Sequence, residues 1–232
     1  MLELIIANKN YSSWSLRPWV LMTTLQIPFK ERLYAFGAPF ADPAFLRVAP
    51  TRRVPVLVDG DASVWDSLAI TEYLAEHYPN VWPTDARARA WARSACAEMH
   101  SGFATLRNVC AMNCGLRVSL HDTPVALVSD LARIGELWAE GLARFGGPWL
   151  AGASFTAVDA FYAPVAFRLQ TYGVSVGDEG DAYAARLRDL PAMQQWYAQA
   201  LAEDWRDQAH EADSRVVGTI TADLRAAPEV GT

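Results

Sequence analysis

Residues 53–79, RVPVLVDGDASVWDSLAITEYLAEHYP, constrain the fold more than any other stretch of the chain. Val54 to Val58 reads as a short buried strand. Asp59-Gly60 is a turn dipeptide and Ala62 to Trp65 returns as a second strand, which together make a hairpin. Asp66 and Ser67 then stand where a helix must begin. Ile70, Tyr73, Leu74 and Tyr78 follow at helical spacing, and Pro79 stops the helix. Pro55 has no N–H to give to a ladder, so it belongs at a strand start or edge. An X–Pro bond is also the one kind that is commonly cis. Either way Val54 keeps backbone groups free to pair elsewhere. The helix that opens at Asp66-Ser67 offers free N–H groups and a positive dipole end, which suit a carboxylate. Asp66 can hold an ammonium beside it. The pair fits the zwitterionic head of an amino acid, and it equally fits a plain helix cap.

Composition narrows the class. The chain has 232 residues, room for one or two domains, and is 52% hydrophobic and 20% charged, enough for a sizeable core. A net charge of −6 argues against a nucleic-acid partner. The start, MLELIIANKNY, has no basic segment followed by a long apolar run, and no stretch is long enough to span a bilayer. Cys96, Cys110 and Cys114 have no CxxC spacing. An odd count without a leader fits a reducing cytoplasm. Cys110 and Cys114, four apart, are expected to be buried thiols on one helix face. His77, His100, His121 and His210 form no ligand pattern with them or with each other, so no metal site is expected.

Taken in order, Leu2 to Ala7 reads as a strand and Asn8 to Ser15 as a polar loop. A helix runs from about Leu16 to Leu25. Pro18 is tolerated only in a first turn, so Ser15 is the expected N-cap and Ser12 and Ser13 stay in the loop. Phe29 to Ala35 is a strand and Pro43 to Val48 a short helix. With the hairpin and its helix, the order is βαβαββα. Pro79 to Thr84 reads as a linker. Beyond it the pattern is helical, with no convincing strand: Asp85 to about Cys114, broken near Asn113–Gly115; Pro124 to Phe145; Thr156 to about Tyr172; a piece at Ala182 to Arg188; and Pro191 to Asp204. Thr156 and Asp159 have the spacing of a capping box. The tail from Arg215 is mixed, and Pro228 to Thr232 is expected to be loose.

"VPVL" followed eight residues later by "DSLAITEYL" resembles the glutathione-binding core of the cytosolic glutathione S-transferase superfamily, in which a cis-Pro follows a Val and an acid-Ser pair opens a helix. The acid is more often Glu there; Asp66 is one methylene shorter. "GASFTAVDAFYAP" resembles the superfamily's helical-domain signature. The resemblance spans about residues 2 to 205. It implies a thioredoxin-like α/β domain over residues 1–79, a linker at 80–84 and an all-α domain over 85–232. It also implies glutathione as co-substrate and a cytoplasmic homodimer that detoxifies small electrophiles. Val54, Pro55, Asp66 and Ser67 match the glutathione site. Arg53 stands where the superfamily usually has Lys, suited to the glycine carboxylate, with Arg52 behind it.

Thiol activation falls to the loop before the first helix. "Y-SSWS-LR" resembles the zeta-class pattern of two serines and a cysteine, and Ser12 matches the first serine. Arg17 follows five residues on, as in the tau and zeta classes, and Trp14 replaces the zeta Cys. Ser12 is therefore the expected catalytic hydroxyl, with Ser13 and Tyr11 as rivals. A thiol of pKa roughly 8.5 is only a few per cent thiolate at pH 7. Lowering it by about two units takes roughly 2.7 kcal/mol of preferential stabilisation. One charge-assisted hydrogen bond supplies about 1.5–3 kcal/mol, so one aimed hydroxyl suffices. His100, Phe103, Leu106 and Arg107 are candidate walls for the electrophile. A zeta-type maleylacetoacetate isomerase, which a cationic site for a dicarboxylate at Arg107 or Arg17 would favour, and a non-catalytic glutathione-binding protein are the alternative functions.

Overall fold

The computed structural model describes residues 1–37 and 42–225 of the chain. The first half is built as β1 (Leu2–Ile6), α1 (Ser13–Thr24), β2 (Phe29–Leu33), α2 (Pro43–Val48), β3 (Val56–Asp59), β4 (Ala62–Val64) and α3 (Ser67–His77). The sheet order is β2-β1-β3-β4. β1 runs parallel to β2, with Leu2 opposite Phe29, and antiparallel to β3, with Ile5 opposite Val56. Alternation along a strand sends successive side chains to opposite faces. Leu2, Leu4 and Ile6 accordingly join the main core with α1 and α3, while Ile5 meets Phe45, Ala49 and Val56 in a second core. β2, FKERL, is the charged and largely exposed edge, a composition that discourages pairing with a foreign strand.

The second half is helical: α4 (Ala86–Ser101), α5 (Ala104–Val109), α6 (Val125–Phe145), α7 (Ala157–Tyr172), α8 (Asp178–Arg188), α9 (Pro191–Leu201) and α10 (Gln208–Val217). α7 is its centre, with every residue but Gln170 buried. It packs on α1, α4 and α8. The Thr156–Asp159 capping box closes its N-terminus. Val81 and Trp82 are buried between the two halves. The Val81 carbonyl accepts from the Ala157 N–H at 2.9 Å, which anchors the connection at the start of α7.

Four expectations are corrected. α1 begins at Ser13, with Ser12 as its N-cap and Pro18 inside it. Ser13 and all of Ser15 to Met22 are buried, and this packing outweighs the loss of one backbone bond at Pro18. The long helix breaks at Gly102-Phe103, not near residue 113. Phe103 is left-handed (φ 54°), and a Cβ on Gly102 would lie 2.7 Å from the Glu98 carbonyl oxygen. Cys110 and Cys114 are buried free thiols, but Cys110 ends α5 and Cys114 lies beyond it, so they share no helix face. Finally, the helical half carries a two-stranded antiparallel sheet, β5 (Leu116–Leu120) with β6 (Gly218–Asp223). β5 buries Leu116 and Val118 and turns Ser119 outward. The tail from Arg215 thus resolves into the end of α10 and β6; Pro228 to Thr232 lies outside the described residues.

Candidate functional site

A cleft of about 1200 Å³ lies between the two halves. One side is made by Tyr11 to Trp14 at the start of α1, Thr51 to Pro55 before β3, and Trp65-Asp66 before α3. His100, Arg107 and Arg168 approach from α4, α5 and α7, and His210 and Asp213 from α10.

The Val54–Pro55 peptide is cis, and both residues line the cleft. Asp66 is the N-cap of α3: its Oδ1 accepts from the Leu68 N–H at 3.0 Å and the Ala69 N–H at 3.4 Å. Its Oδ2 meets Nε2 of His100 at 3.2 Å, and the carboxylate is half exposed. Cap and cleft wall are therefore one side chain. Burial, helped by nearby Arg17 and Arg107, lowers the His100 pKa against the pull of Asp66, so near neutral pH His100 meets Asp66 as a neutral donor. Ser67 is fully buried behind the wall, and its hydroxyl has no partner among the described residues. Arg52 and Arg53 stand exposed on the rim with no ion pair among the described residues.

The three candidate hydroxyls have different surroundings. Ser12 Oγ lies in the cleft wall and donates to Ser15 Oγ at 2.7 Å. Ser15 Oγ also accepts from the Ala7 N–H at 3.3 Å. Ser13 Oγ accepts from Nη2 of Arg168 at 3.2 Å. Tyr11 donates to Glu211 at 2.7 Å and accepts from Arg225 at 3.1 Å. Burial and the Glu211 carboxylate push the Tyr11 pKa well up, so its phenol is tied to the C-terminal segment.

Arg17 is buried, its guanidinium 4.1 Å from the Trp14 ring centroid and 4.9 Å from that of Phe161. Burial, reinforced by nearby Arg107, lowers its pKa to about 9. Of the four residues expected to face the electrophile, His100 and Arg107 line the cleft. Phe103 and Leu106 belong to the core instead. Sequence reading missed Trp65, Arg168, His210 and Asp213. His210 stacks on Tyr11 at 5.1 Å between ring centroids and packs at a tilt against Phe36 at 4.8 Å, and with Asp213 it makes α10 a wall of the cleft. The capping Asp207 and the charged residues of 208–217 were the available signal, without any mark of which surface they would cover.

Residues 11–77 match the model of the glutathione S-transferase N-terminal domain, and residues 86–199 that of the C-terminal domain. Glutathione S-transferase 1 of Dianthus caryophyllus is 33% identical over 103 residues, 44% of this chain and 46% of that one, so the match spans about half the relative. A probable maleylacetoacetate isomerase of Vibrio cholerae is 26% identical over 226 residues, 89% of this chain and 99% of that one. Among solved structures, a glutathione transferase homologue from Burkholderia gl BGR1 with bound glutathione superposes with a TM-score of 0.66 at 23% identity, covering 86% of this chain and 97% of that one.

Proposed function

The chain belongs to the glutathione S-transferase family, and on that premise we propose that it ionises the thiol of glutathione with the Ser12 hydroxyl and delivers the thiolate to a small electrophile. One observation carries the reading: Ser12, the cis Val54–Pro55 peptide and the Asp66 cap of α3 line a single cleft. In this reading Val54 pairs its backbone with the extended tripeptide. Asp66 holds the α-ammonium. The N-terminus of α3 and the unpartnered Ser67 hydroxyl take the neighbouring carboxylate. Arg53 takes the glycine carboxylate, with Arg52 beside it.

Ser12 is the N-cap of α1 but makes no side-chain cap bond. Its proton is held by Ser15, whose oxygen keeps the Ala7 N–H as a second partner. Rotation of the Ser12 hydroxyl toward a thiolate therefore exchanges a neutral hydrogen bond for a charge-assisted one, which is roughly twice as strong. The homodimer and cytoplasmic location implied by the family belong to the same reading.

The isomerase alternative is favoured by the nearly full-length match to the Vibrio cholerae protein. It starts from the same thiolate and differs in outcome: a transferase consumes one glutathione per turnover, and an isomerase returns it. A panel of electrophiles assayed with and without glutathione, following both product and free thiol, tests the reading. Glutathione-dependent loss of electrophile with equal loss of thiol is the expected result. Turnover with full recovery of thiol would replace transferase by isomerase, and no glutathione dependence would overturn both.

A further inference from the structure

Three guanidinium groups gather where α1 meets the helical side of the cleft, Arg107 and Arg168 in its wall and Arg17 buried behind it, and no carboxylate among the described residues forms an ion pair with any of them. Arg107 lines the cleft with its guanidinium 5.5 Å from the Trp14 ring centroid, and Arg17 lies 4.1 Å from the same ring. Arg168, also in the wall, donates to the backbone carbonyls of Arg107 and Cys110 and to Ser13 Oγ. Arg17 and Arg168 are 2% and 4% exposed. Nε and Nη1 of Arg17 and Nε of Arg168 have no hydrogen-bond partner among the described residues. Buried charge without a counter-charge is costly unless something else answers it. Of the acids on the cleft wall, Asp66 is engaged by His100, and Asp213 stands on α10. The rim arginines, Arg52 and Arg53, add to the positive field.

Arg107 is the member positioned to touch a ligand. One of its Nη groups donates to the His100 carbonyl at 3.3 Å, and the side chain is only half-buried. The indole of Trp14, also in the wall, offers an apolar face beside it. We propose that the electrophile taken by this cleft carries a carboxylate, bound by Arg107, with Arg17 and Arg168 holding the surroundings positive and Trp14 covering the flat body of the molecule. This rests on the transferase reading above, and glutathione's own carboxylates are assigned there to the α3 N-terminus and Arg53.

The test compares 4-chloro-3-nitrobenzoate with the neutral 1-chloro-2,4-dinitrobenzene, each rate divided by its uncatalysed rate with glutathione. In both, the thiolate sulfur bonds to the ring carbon bearing chlorine, the C–Cl bond breaks and chloride leaves with its electron pair; the thiol proton passes to solvent. Arg107→Gln should raise the KM ratio of the anionic to the neutral probe by about tenfold or more, the effect of losing one charge-assisted hydrogen bond. Arg107→Lys, which keeps the charge, should recover part of it. Calorimetric binding of unreactive 3-nitrobenzoate should weaken in Arg107→Gln by a similar factor, and this arm needs no turnover. If neither probe turns over but 3-nitrobenzoate binding depends on Arg107, the transferase reading fails and the anion site stands. If Arg107→Gln affects both probes equally and leaves 3-nitrobenzoate binding alone, the anion site is overturned and the transferase reading stands.

Discussion

The Tyr11 hydroxyl, in the loop after β1, donates across 2.7 Å to the Glu211 carboxylate of α10. The bond ties the first loop of the chain to its last helix. Arg225 completes the cluster: it donates to both oxygens of Glu211, to Asp223 at 2.8 Å and to Tyr11 at 3.1 Å. Glu211 and Arg225 are both buried. Removing one partner of a buried pair leaves an uncompensated charge and costs about 3–5 kcal/mol. Arg225→Ala should therefore unfold the chain at clearly lower denaturant, whereas Tyr11→Phe, which loses its bonds to Glu211 and Arg225 but leaves those two paired with each other, should cost less, about 1.5–3 kcal/mol. Equal denaturant midpoints for Arg225→Ala and wild type would remove this cluster from the account of stability.

The same cluster sets the acid response. Burial alone would raise Glu211 and Asp223, but the hydrogen bonds from Arg225, with Tyr11 on Glu211 and Arg206 on Asp223, hold both below the usual carboxylate range. A depressed folded pKa gives stability that is present above the unfolded value and lost as pH falls through the folded one. Urea midpoints should drop from pH 5 downward, and they should drop less steeply in Arg225→Ala. Parallel pH profiles for the two proteins would show that these acids are not the source.

Asp159 acts in the opposite sense. It is fully buried and accepts from the Leu150 N–H at 3.0 Å, the Thr156 N–H at 2.9 Å and the Tyr183 hydroxyl at 2.7 Å. Burial outweighs these donors and raises its pKa to about 6. A raised folded pKa gives stability that is full below the unfolded value and falls as pH rises through about 6. Asp159→Asn should flatten that slope between pH 4 and 6. A cap alone is worth about 0.5–2 kcal/mol, but Asp159→Ala also strands buried donors at about 1–3 kcal/mol each. The loss should exceed the cap value, with activity per folded molecule retained. A fully stable but inactive mutant would move Asp159 from the scaffold to the chemistry.

The hairpin and the start of α3 were legible because their signals are local. The Asp59-Gly60 turn, Pro55 at a strand start and an acid-Ser pair before a helical stripe each fix their own neighbourhood, and the strands and helix lie within a residue or two of the reading. The misses at β5, at α1 and in the cleft's guanidinium cluster are long-range. β5 alternates as LRVSL, but its partner β6 lies some hundred residues on, and five residues alone give a weak pattern. Pro18 obeyed the local rule in isolation; burial of α1 against α7 and the sheet overrode it. The guanidinium cluster draws one arginine from each of α1, α5 and α7, so only the fold brings it together.

Binding and activation should separate by mutation. Asp66→Ala or Ser67→Ala should weaken glutathione by about 1–3 kcal/mol, the range for a lost charged hydrogen-bond partner. Asp66→Ala also removes the cap of α3, so its stability should be measured beside its affinity. Unchanged calorimetric affinity in both mutants would sink the assignment of this wall.

Ser12→Ala is the sharpest test of mechanism, because the structure gives its neighbour a competing claim. Ser12 donates to Ser15 at 2.7 Å, whereas Ser13 accepts from Arg168 at 3.2 Å and keeps its own proton for another partner. If Ser12 turns to the thiolate, Ser12→Ala should leave glutathione affinity within a few fold, since the proposed contacts hold both ends of the tripeptide elsewhere. The pKa of the bound thiol should rise by about one to two units, following the roughly 1.5–3 kcal/mol lost. Turnover at pH 7 should fall by about ten- to a hundredfold and recover in part at higher pH, where the thiol ionises unaided. The ultraviolet absorbance of the thiolate, titrated in wild type, Ser12→Ala and Ser13→Ala, reads this directly. Coincident curves for wild type and Ser12→Ala, with a shifted curve for Ser13→Ala, would transfer the role to Ser13. Arg168→Gln should then reproduce the Ser13→Ala shift, because the guanidinium that donates to Ser13 is what makes its hydroxyl a stronger donor.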